Sequence, residues 1–189
     1  MAQISNRGNY CMIIKTTNID ELNKIVRNTL IEQSQLEPIK IVNGVSIHGQ
    51  DLIKRINDYV YKSYEPQDAL IVFDLQSRDS SNSFSQTKDN NTISYYMSYA
   101  IHLMIYGNSS PTMSNLIASR LRTEYVRDSL QYQGVYLESV SNPTIGNDFI
   151  NNSMHIRCDM FINISCQMEI SQVVNNDDFN IIDLSIEEI

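Results

Sequence analysis

Apolar and polar residues alternate along residues 154–170, and this run constrains the fold more than any other feature of the sequence. A period of two is typical of a β-strand with one buried face. At about 3.3 Å per residue the strand would span roughly 50 Å, well beyond the usual five or six residues. We therefore predict a long strand here, which needs a long partner. Phe161 is the one apolar residue on the polar parity, and the apolar parity consists of Met154, Ile156, Cys158, Met160, Ile162, Ile164, Cys166, Met168 and Ile170.

Residues 92–106 also have a period of two and are the predicted partner of that strand. The mostly apolar run 69–76 predicts a buried strand, which forms a long hairpin with residues 92–106. Between the two strands, the Ser- and Asn-rich segment 77–91 predicts a flexible loop at the tip of the hairpin. Phe84 is the one apolar residue of this loop.

The spacing of apolar residues predicts three helices, over 19–34, 50–61 and 112–132. Asn18 is a suitable N-cap for the first helix, and Gly134 is a natural C-cap for the last. The smaller predicted elements are a possible N-terminal arm over 1–17, a hairpin over 39–49 with its turn at Asn43-Gly44, a strand over 135–140, a turn over 141–148 and an acidic C-terminal strand within 171–189.

These elements together predict an α+β fold. Consecutive strands with short connections favour an antiparallel sheet of four to five strands that contains the long hairpin. The helices would pack on one face of this sheet. The sequence has no internal repeats and no shift in composition, so we expect a single domain over residues 1–189.

The formal charge of −8 argues against a protein whose main grip is on nucleic-acid phosphate through clustered Lys and Arg, and it weakens the alternative of a DNA-binding factor. No window of about 18 continuous apolar residues exists, so we expect no membrane span. The first residues lack the apolar stretch of a signal peptide. The three cysteines are odd in number and suit a reducing cytoplasm rather than a disulfide framework.

Sequence motifs of catalysis are absent: there is no nucleophile elbow, Walker loop, dinucleotide fingerprint or zinc-binding H-E-x-x-H. The three histidines lie on different predicted elements without metal-ligand spacing. Cys158 and Cys166 share the apolar parity of the long strand, which favours small buried thiols over a nucleophile. We therefore expect no catalytic residue, no metal and no cofactor, while a small enzyme built from ordinary residues stays an alternative.

Charged residues on the third predicted helix have two interpretations. Arg120, Arg122 and Arg127 are interleaved with Glu124 and Asp128. They form either a solvated face with an i, i+4 ion pair between Arg120 and Glu124, or a contact between subunits.

Two further groups of residues also have two interpretations each. Acidic residues without Lys or Arg extend from Glu169 to the end of the chain, and they serve either solubility or the lining of a passage in which DNA slides without sticking. Tyr96 and Tyr106 lie on the outward parity of residues 92–106. They are either interface anchors or half-exposed sheet residues.

The segment 112–170 resembles the tail terminator (neck terminator) family of tailed bacteriophages. The resemblance consists of a helix that ends near Gly134, a short strand, a polar turn and a long alternating strand that opens with Arg157-Cys158-Asp159-Met160. In weaker form the pattern extends over residues 65–170. The added segment 39–64 and the long loop 77–91 depart from the simplest members of the family.

This resemblance implies a structural protein of the virion tail or neck, assembled in the host cytoplasm. Its partners would be further copies of itself in a closed ring, most simply a hexamer, together with the tail tube protein and the head-tail connector or stopper protein. The ring would end tube polymerisation, and genomic DNA would pass through its lumen without specific binding. Another neck or connector ring or adaptor protein is the alternative. The candidate interface residues are Phe84, Tyr96, Tyr106, Arg120, Arg122, Arg127, Arg157 and Asp159.

Overall fold

The structure, a computed structural model, describes residues 18–44, 49–59, 68–78, 85–89, 92–150 and 153–171. The predicted arm over 1–17, Phe84 and the acidic residues beyond 171 lie outside these ranges. In chain order the elements are α1 (Ile19–Ser34), β1 (Ile41–Asn43), α2 (Gly49–Tyr59), β2 (Leu70–Arg78), β3 (Ser85–Asp89), β4 (Thr92–Tyr106), α3 (Ser110–Leu121), α4 (Glu124–Tyr132), β5 (Val135–Val140), β6 (Thr144–Ile150) and β7 (Ser153–Ser171).

The two long strands predicted from the alternation pair with each other along the whole of β4. β4 and β7 are antiparallel, with a continuous register from Thr92 opposite Ser171 to Tyr106 opposite Arg157. Their apolar parities face the same side of the sheet, where Leu103, Ile105, Met160 and other side chains are fully buried. The prediction of one long strand with a long partner is confirmed.

Seven described strands form one sheet in the order β1-β2-β4-β7-β5, with β3 also paired to β4 and β6 also paired to β7. Helices α1 and α3 pack against each other, while α3 contacts β4 and β7 and α4 contacts β5. Together they cover the main core cluster on one face of the sheet. The α+β fold is confirmed, although the sheet has more strands than the four or five predicted.

The prediction of a purely antiparallel sheet is wrong at β1, which pairs with β2 in parallel. Parallel strands need a crossover connection, and α2 lies in the connection between them. The first arm of the hairpin predicted over 39–49 is β1, and its second arm lies at residues 45–48, outside the described residues.

The prediction that all helices pack on one face is also wrong, because α2 covers the opposite face. Leu70 and Val72 of β2 point to that face and form a second buried cluster with Ile56 of α2. The near-continuous apolar run of β2 required burial on both of its sides. The main cluster, under α1, α3 and α4, lies on what we call the core face, and the opposite side of the sheet is the outer face.

Two further local predictions are corrected by the structure. The loop predicted over 77–91 is partly strand, because β2 extends to Arg78 and residues 85–89 pair with β4 as β3. The helix predicted over 112–132 is divided into α3 and α4 at Thr123, whose backbone is extended. The Thr123 hydroxyl donates to the Arg120 carbonyl at 2.6 Å and so competes with the helical hydrogen bond.

Cys158 and Cys166 are both fully buried, which confirms their interpretation as core thiols. Burial raises the pKa of the Cys166 thiol from 9.0 to about 11. The unfolded chain therefore loses this proton at a lower pH than the folded protein does. The stability that comes from the neutral thiol is complete below pH 9.0 and is lost as the pH rises to about 11.

We therefore expect the free energy of unfolding to fall by about 1.4 kcal/mol per pH unit through Cys166 between these values. Burial also raises the pKa of Tyr99 to about 12, which adds a second loss at higher pH. Urea unfolding at several pH values gives the slope of the free energy of unfolding against pH, both for the wild-type protein and for Cys166→Ala. The variant should have the shallower slope, and equal slopes would contradict this origin.

Candidate functional site

The described part of the chain contains a projecting two-stranded hairpin made of β6 and the first residues of β7. In its register, Ile145 lies opposite Cys158, Asn147 opposite Ile156, and Phe149 opposite Met154. Because β4 ends at Tyr106, which lies opposite Arg157, the ladder between β4 and β7 stops before the hairpin does. We call β6 together with residues 153–156 the distal hairpin.

The core face of the distal hairpin is apolar and uncovered. Along β7 the exposed fraction rises from 0% at Cys158 to 40% at Ile156 and 69% at Met154. Cross-strand partners share a face, so Ile145 and Phe149 join the same surface, with exposed fractions of 66% and 71%. The helices that bury the core face elsewhere do not extend over these four side chains, which we call the hairpin patch. Exposed apolar patches of this kind mark interaction sites.

The outer face of the distal hairpin carries a network of charged and polar groups instead. Arg157 Nη1 donates to Asp148 Oδ2 at 2.7 Å, and Arg157 Nε donates to Asp159 Oδ2 at 3.0 Å. The Tyr106 hydroxyl donates to Asp148 Oδ2 at 3.1 Å, and Asp159 Oδ1 lies 2.9 Å from His102 Nε2. The network joins β4, β6 and β7 at the base of the hairpin.

Arg157 is the central cation of this network. Its guanidinium contacts both carboxylates and lies 6.0 Å from the centre of the Tyr106 ring. Burial acts to lower the pKa of Arg157, but Tyr106 and Asp159 outweigh it and the pKa is raised. Burial is also the main reason that the pKa of Tyr106 is raised. Arg157 of β7 thus binds Asp148 of β6 as well as Asp159 of its own strand. These charge-assisted hydrogen bonds restrict the direction in which the hairpin projects from the sheet.

A glycine turn ties the end of β4 to the hairpin. Gly107 has a φ of 123°, and its N–H donates to the Ile156 carbonyl at 3.1 Å. We expect Gly107→Ala to lower the free energy of unfolding by about 1–3 kcal/mol, because a side chain is strained at this φ. Gly146→Ala on β6 is the matched control, since its added Cβ would meet nothing nearer than Asp159 Oδ2 at 3.7 Å. Equal urea unfolding curves for the two variants would contradict the strain at Gly107.

The charged and polar groups of this site contact one another through hydrogen bonds and ion pairs. Among the described residues, no group of three or more His, Cys, Asp and Glu is placed to hold a metal ion. His102 stacks on Phe161 at 4.6 Å between ring centres and is thereby oriented towards Asp159. No helix in the described ranges combines the length and the apolar character that a membrane crossing requires.

The structure brings three of the predicted interface residues together and corrects the expected exposure of one. Arg157, Asp159 and Tyr106 meet in the network on the outer face. Tyr106 is only 2% exposed, so the prediction of an outward anchor is wrong at this position. Its ring packs in the second buried cluster under α2. Tyr96 is exposed on the outer face, and its role as an interface residue stays a prediction.

The predicted arginines of the third helix lie apart from the hairpin. Arg120 Nη1 donates to the Gln33 carbonyl at 2.5 Å and so links α3 to α1. The break at Thr123 removes the helical i, i+4 geometry expected between Arg120 and Glu124. Arg122 binds the connection between β5 and β6. Its Nη2 donates to the carbonyls of Val140 and Ser141 and to Asn142 Oδ1. Arg127 is exposed on α4, and interface roles for these arginines stay predictions.

Sequence reasoning missed β6, Asp148, His102 and the hairpin patch. The segment 141–148 was predicted as a turn because Asn, Gly and Asp are depleted in strands. One signal was nevertheless present. The alternating run over 154–170 has 17 residues and the run over 92–106 has 15, so part of the long strand had to project beyond its partner.

Comparison with known proteins gives one family. A family model described as phage neck terminator protein matches residues 20–189. A search of curated proteins finds no match to this chain.

Proposed function

Since the chain belongs to the phage neck terminator family and is thus a structural protein of the phage neck, we propose that it acts there as a closed ring. The ring, most simply of six copies, sits on the head-proximal end of the tail tube. It stops tube growth and joins the tube to the head connector or stopper protein. Genomic DNA passes through its lumen.

The observation that carries this proposal is the projecting distal hairpin. An isolated two-stranded hairpin is marginally stable in water, and this one exposes four large apolar side chains. The network around Arg157 fixes its direction, so a preformed surface is presented before any partner arrives. Preorganised apolar surfaces of this kind lower the entropic cost of association.

The charge of the chain is consistent with a lumen that does not hold DNA. The net charge is −8, and the acidic stretch from Glu169 to the end contains no Lys or Arg. DNA phosphates bind where Lys and Arg displace counterions, and they are repelled by carboxylates. We propose that this negative charge keeps DNA phosphates from binding in the passage, where repulsion allows DNA to slide.

Polymerisation of the tail tube protein in vitro tests the proposed function. The full chain added during polymerisation should shorten the tubes, and electron microscopy should show ring-shaped density at one tube end. The matched control is an unrelated acidic protein at the same concentration, because non-specific charge effects would then appear in both. Tubes of unchanged length without end density would contradict the proposal. Binding to the connector without binding to tubes would instead identify an adaptor at another level of the neck.

A further inference from the structure

We propose that the free edge of β6 binds the C-terminal segment of a neighbouring copy as an added β-strand. This segment, residues 179–186, lies outside the described residues, and its sequence predicts a strand. The inference rests on the proposed ring and names the contact that closes it. A ring needs two different surfaces on each copy, because every copy meets its neighbours head to tail.

β6 is an edge strand, since β7 is its one partner among the described strands. Gly107 N–H donates to the Ile156 carbonyl, so the backbone groups of Ile156 point away from β6. In an antiparallel pair these directions alternate along both strands. Asn147, which lies opposite Ile156, therefore turns its N–H and C=O away from β7. Ile145 and Phe149, two residues to either side, do the same and complete a row of backbone groups with which an incoming strand can pair.

No residue of β6 protects this edge. Proteins usually block an exposed edge strand with Lys, Pro or a bulge. β6 contains neither Lys nor Pro, and it pairs with β7 without a shift of register. Its one charged residue, Asp148, binds Arg157 on the outer face. The hairpin patch lies directly beside the edge, so a strand added there would bury apolar side chains together with backbone groups.

The C-terminal segment has the pattern of a strand with one apolar side. Its apolar parity contains Ile182, Leu184 and Ile186, which alternate with polar residues. Beside β6, such a strand would place these three side chains next to the hairpin patch. The family model also extends over this segment, since it matches residues 20–189. The predicted arm over 1–17 lies before that match, which favours the C-terminal segment as the occupant.

The C-terminal segment and the free edge belong to opposite ends of β7. The distal hairpin contains the beginning of β7, and β7 ends at Ser171. From Ser171 back to Cys158, which lies opposite Ile145, the strand spans about 43 Å. Phe179 follows Ser171 by eight residues, which reach at most about 29 Å. The whole segment therefore cannot lie along β6 of its own copy, whereas the head-to-tail contact of a ring brings it to β6 of the next copy.

Two full-length variants each disable one side of this contact. The segment variant is Ile182→Ser with Leu184→Ser, and its control is Asp183→Asn with Ser185→Asn on the polar parity. The edge variant is Asn147→Pro, which removes an N–H that points away from β7. Its control, Asn147→Ala, keeps that N–H. Circular dichroism during thermal unfolding establishes which variants are folded, and native mass spectrometry over a range of concentrations, with and without tail tubes, measures assembly.

We expect the wild-type protein and both controls to form rings of one size. The segment and edge variants alone should need at least about tenfold more protein to assemble, which corresponds to 1.4 kcal/mol per contact. A mixture of these two variants should form dimers that contain one copy of each and nothing larger, because only one intact segment meets one intact edge.

A synthetic peptide of residues 172–189 tests the binding site without any change in β6. Added to the segment variant, it should bind and slow the hydrogen exchange of the Ile145, Asn147 and Phe149 amides. The same peptide with Ser at positions 182 and 184 is the control and should not bind. This measurement decides the pairing even if Asn147→Pro does not fold.

Several results would overturn the strand addition. Rings of the segment variant as stable as those of the wild-type protein would contradict it, as would a bound peptide that leaves the exchange of the β6 amides unchanged. Segment-variant rings that no longer attach to tubes would identify the tube protein as the partner of the segment. Failure of the proposed function looks different, since the mixed dimers and the protected amides would then be found while the wild-type protein has no effect on tubes.

Discussion

Replacement of Tyr106 by Ala should lower the free energy of unfolding by about 3–4 kcal/mol. The ring is 2% exposed and packs between β2 and α2, with Leu70, Val72 and Ile56 as neighbours in the second buried cluster. Truncation leaves a cavity there and removes the hydroxyl that donates to Asp148. Tyr106→Phe keeps the packing and loses only the hydrogen bond, so we expect a loss of about 1 kcal/mol.

This prediction separates a core residue from an interface residue. Tyr96 lies on the same parity of β4 but is exposed, so Tyr96→Ala should cost about 1 kcal/mol or less. Urea unfolding of the three variants gives the comparison. If Tyr106→Ala were as stable as Tyr96→Ala, the second cluster and the placement of α2 on the outer face would be wrong.

Replacement of Arg157 by Ala should lower the free energy of unfolding by about 2–3 kcal/mol and weaken the orientation of the distal hairpin. The change leaves the half-buried carboxylates of Asp148 and Asp159 without the cation that lies between them. Arg157→Lys should recover only part of the loss, because one ammonium cannot reproduce the two separate N–H contacts of the guanidinium.

Removal of the charges provides the matched control for Arg157. In Arg157→Ala combined with Asp148→Asn and Asp159→Asn, no carboxylate is left unpaired, so stability should rise above that of Arg157→Ala. Hydrogen exchange of the β6 amides reports on the hairpin directly and should become faster in Arg157→Ala. A single variant within about 0.5 kcal/mol of the wild-type protein, with unchanged exchange, would contradict the bracing role.

The parts of the fold that follow from periodicity were predictable from the sequence. The alternation located β4 and most of β7, and the paired register follows because both strands bury the same parity. Asn18 was predicted to cap α1, and its side chain accepts from the Glu21 N–H at 2.8 Å. In each case a local pattern and the tertiary packing demand the same structure.

The rest was set by contacts that are distant along the chain. Gly146, Asn147 and Asp148 are of types depleted in strands, and they join β6 because the projecting end of β7 supplies the ladder. Tyr106 has the parity of an exposed residue, and α2 buries it from an element almost fifty residues earlier. The network was also missed, because Asp148 meets Arg157, nine residues later, only when residues 144–150 form a strand.

Cryo-electron microscopy of the neck in purified virions is the most direct test of the central claim. The account predicts a ring of copies of this fold between tail tube and head connector, with DNA in the lumen. Virions whose neck density contains no copy of this chain would contradict it.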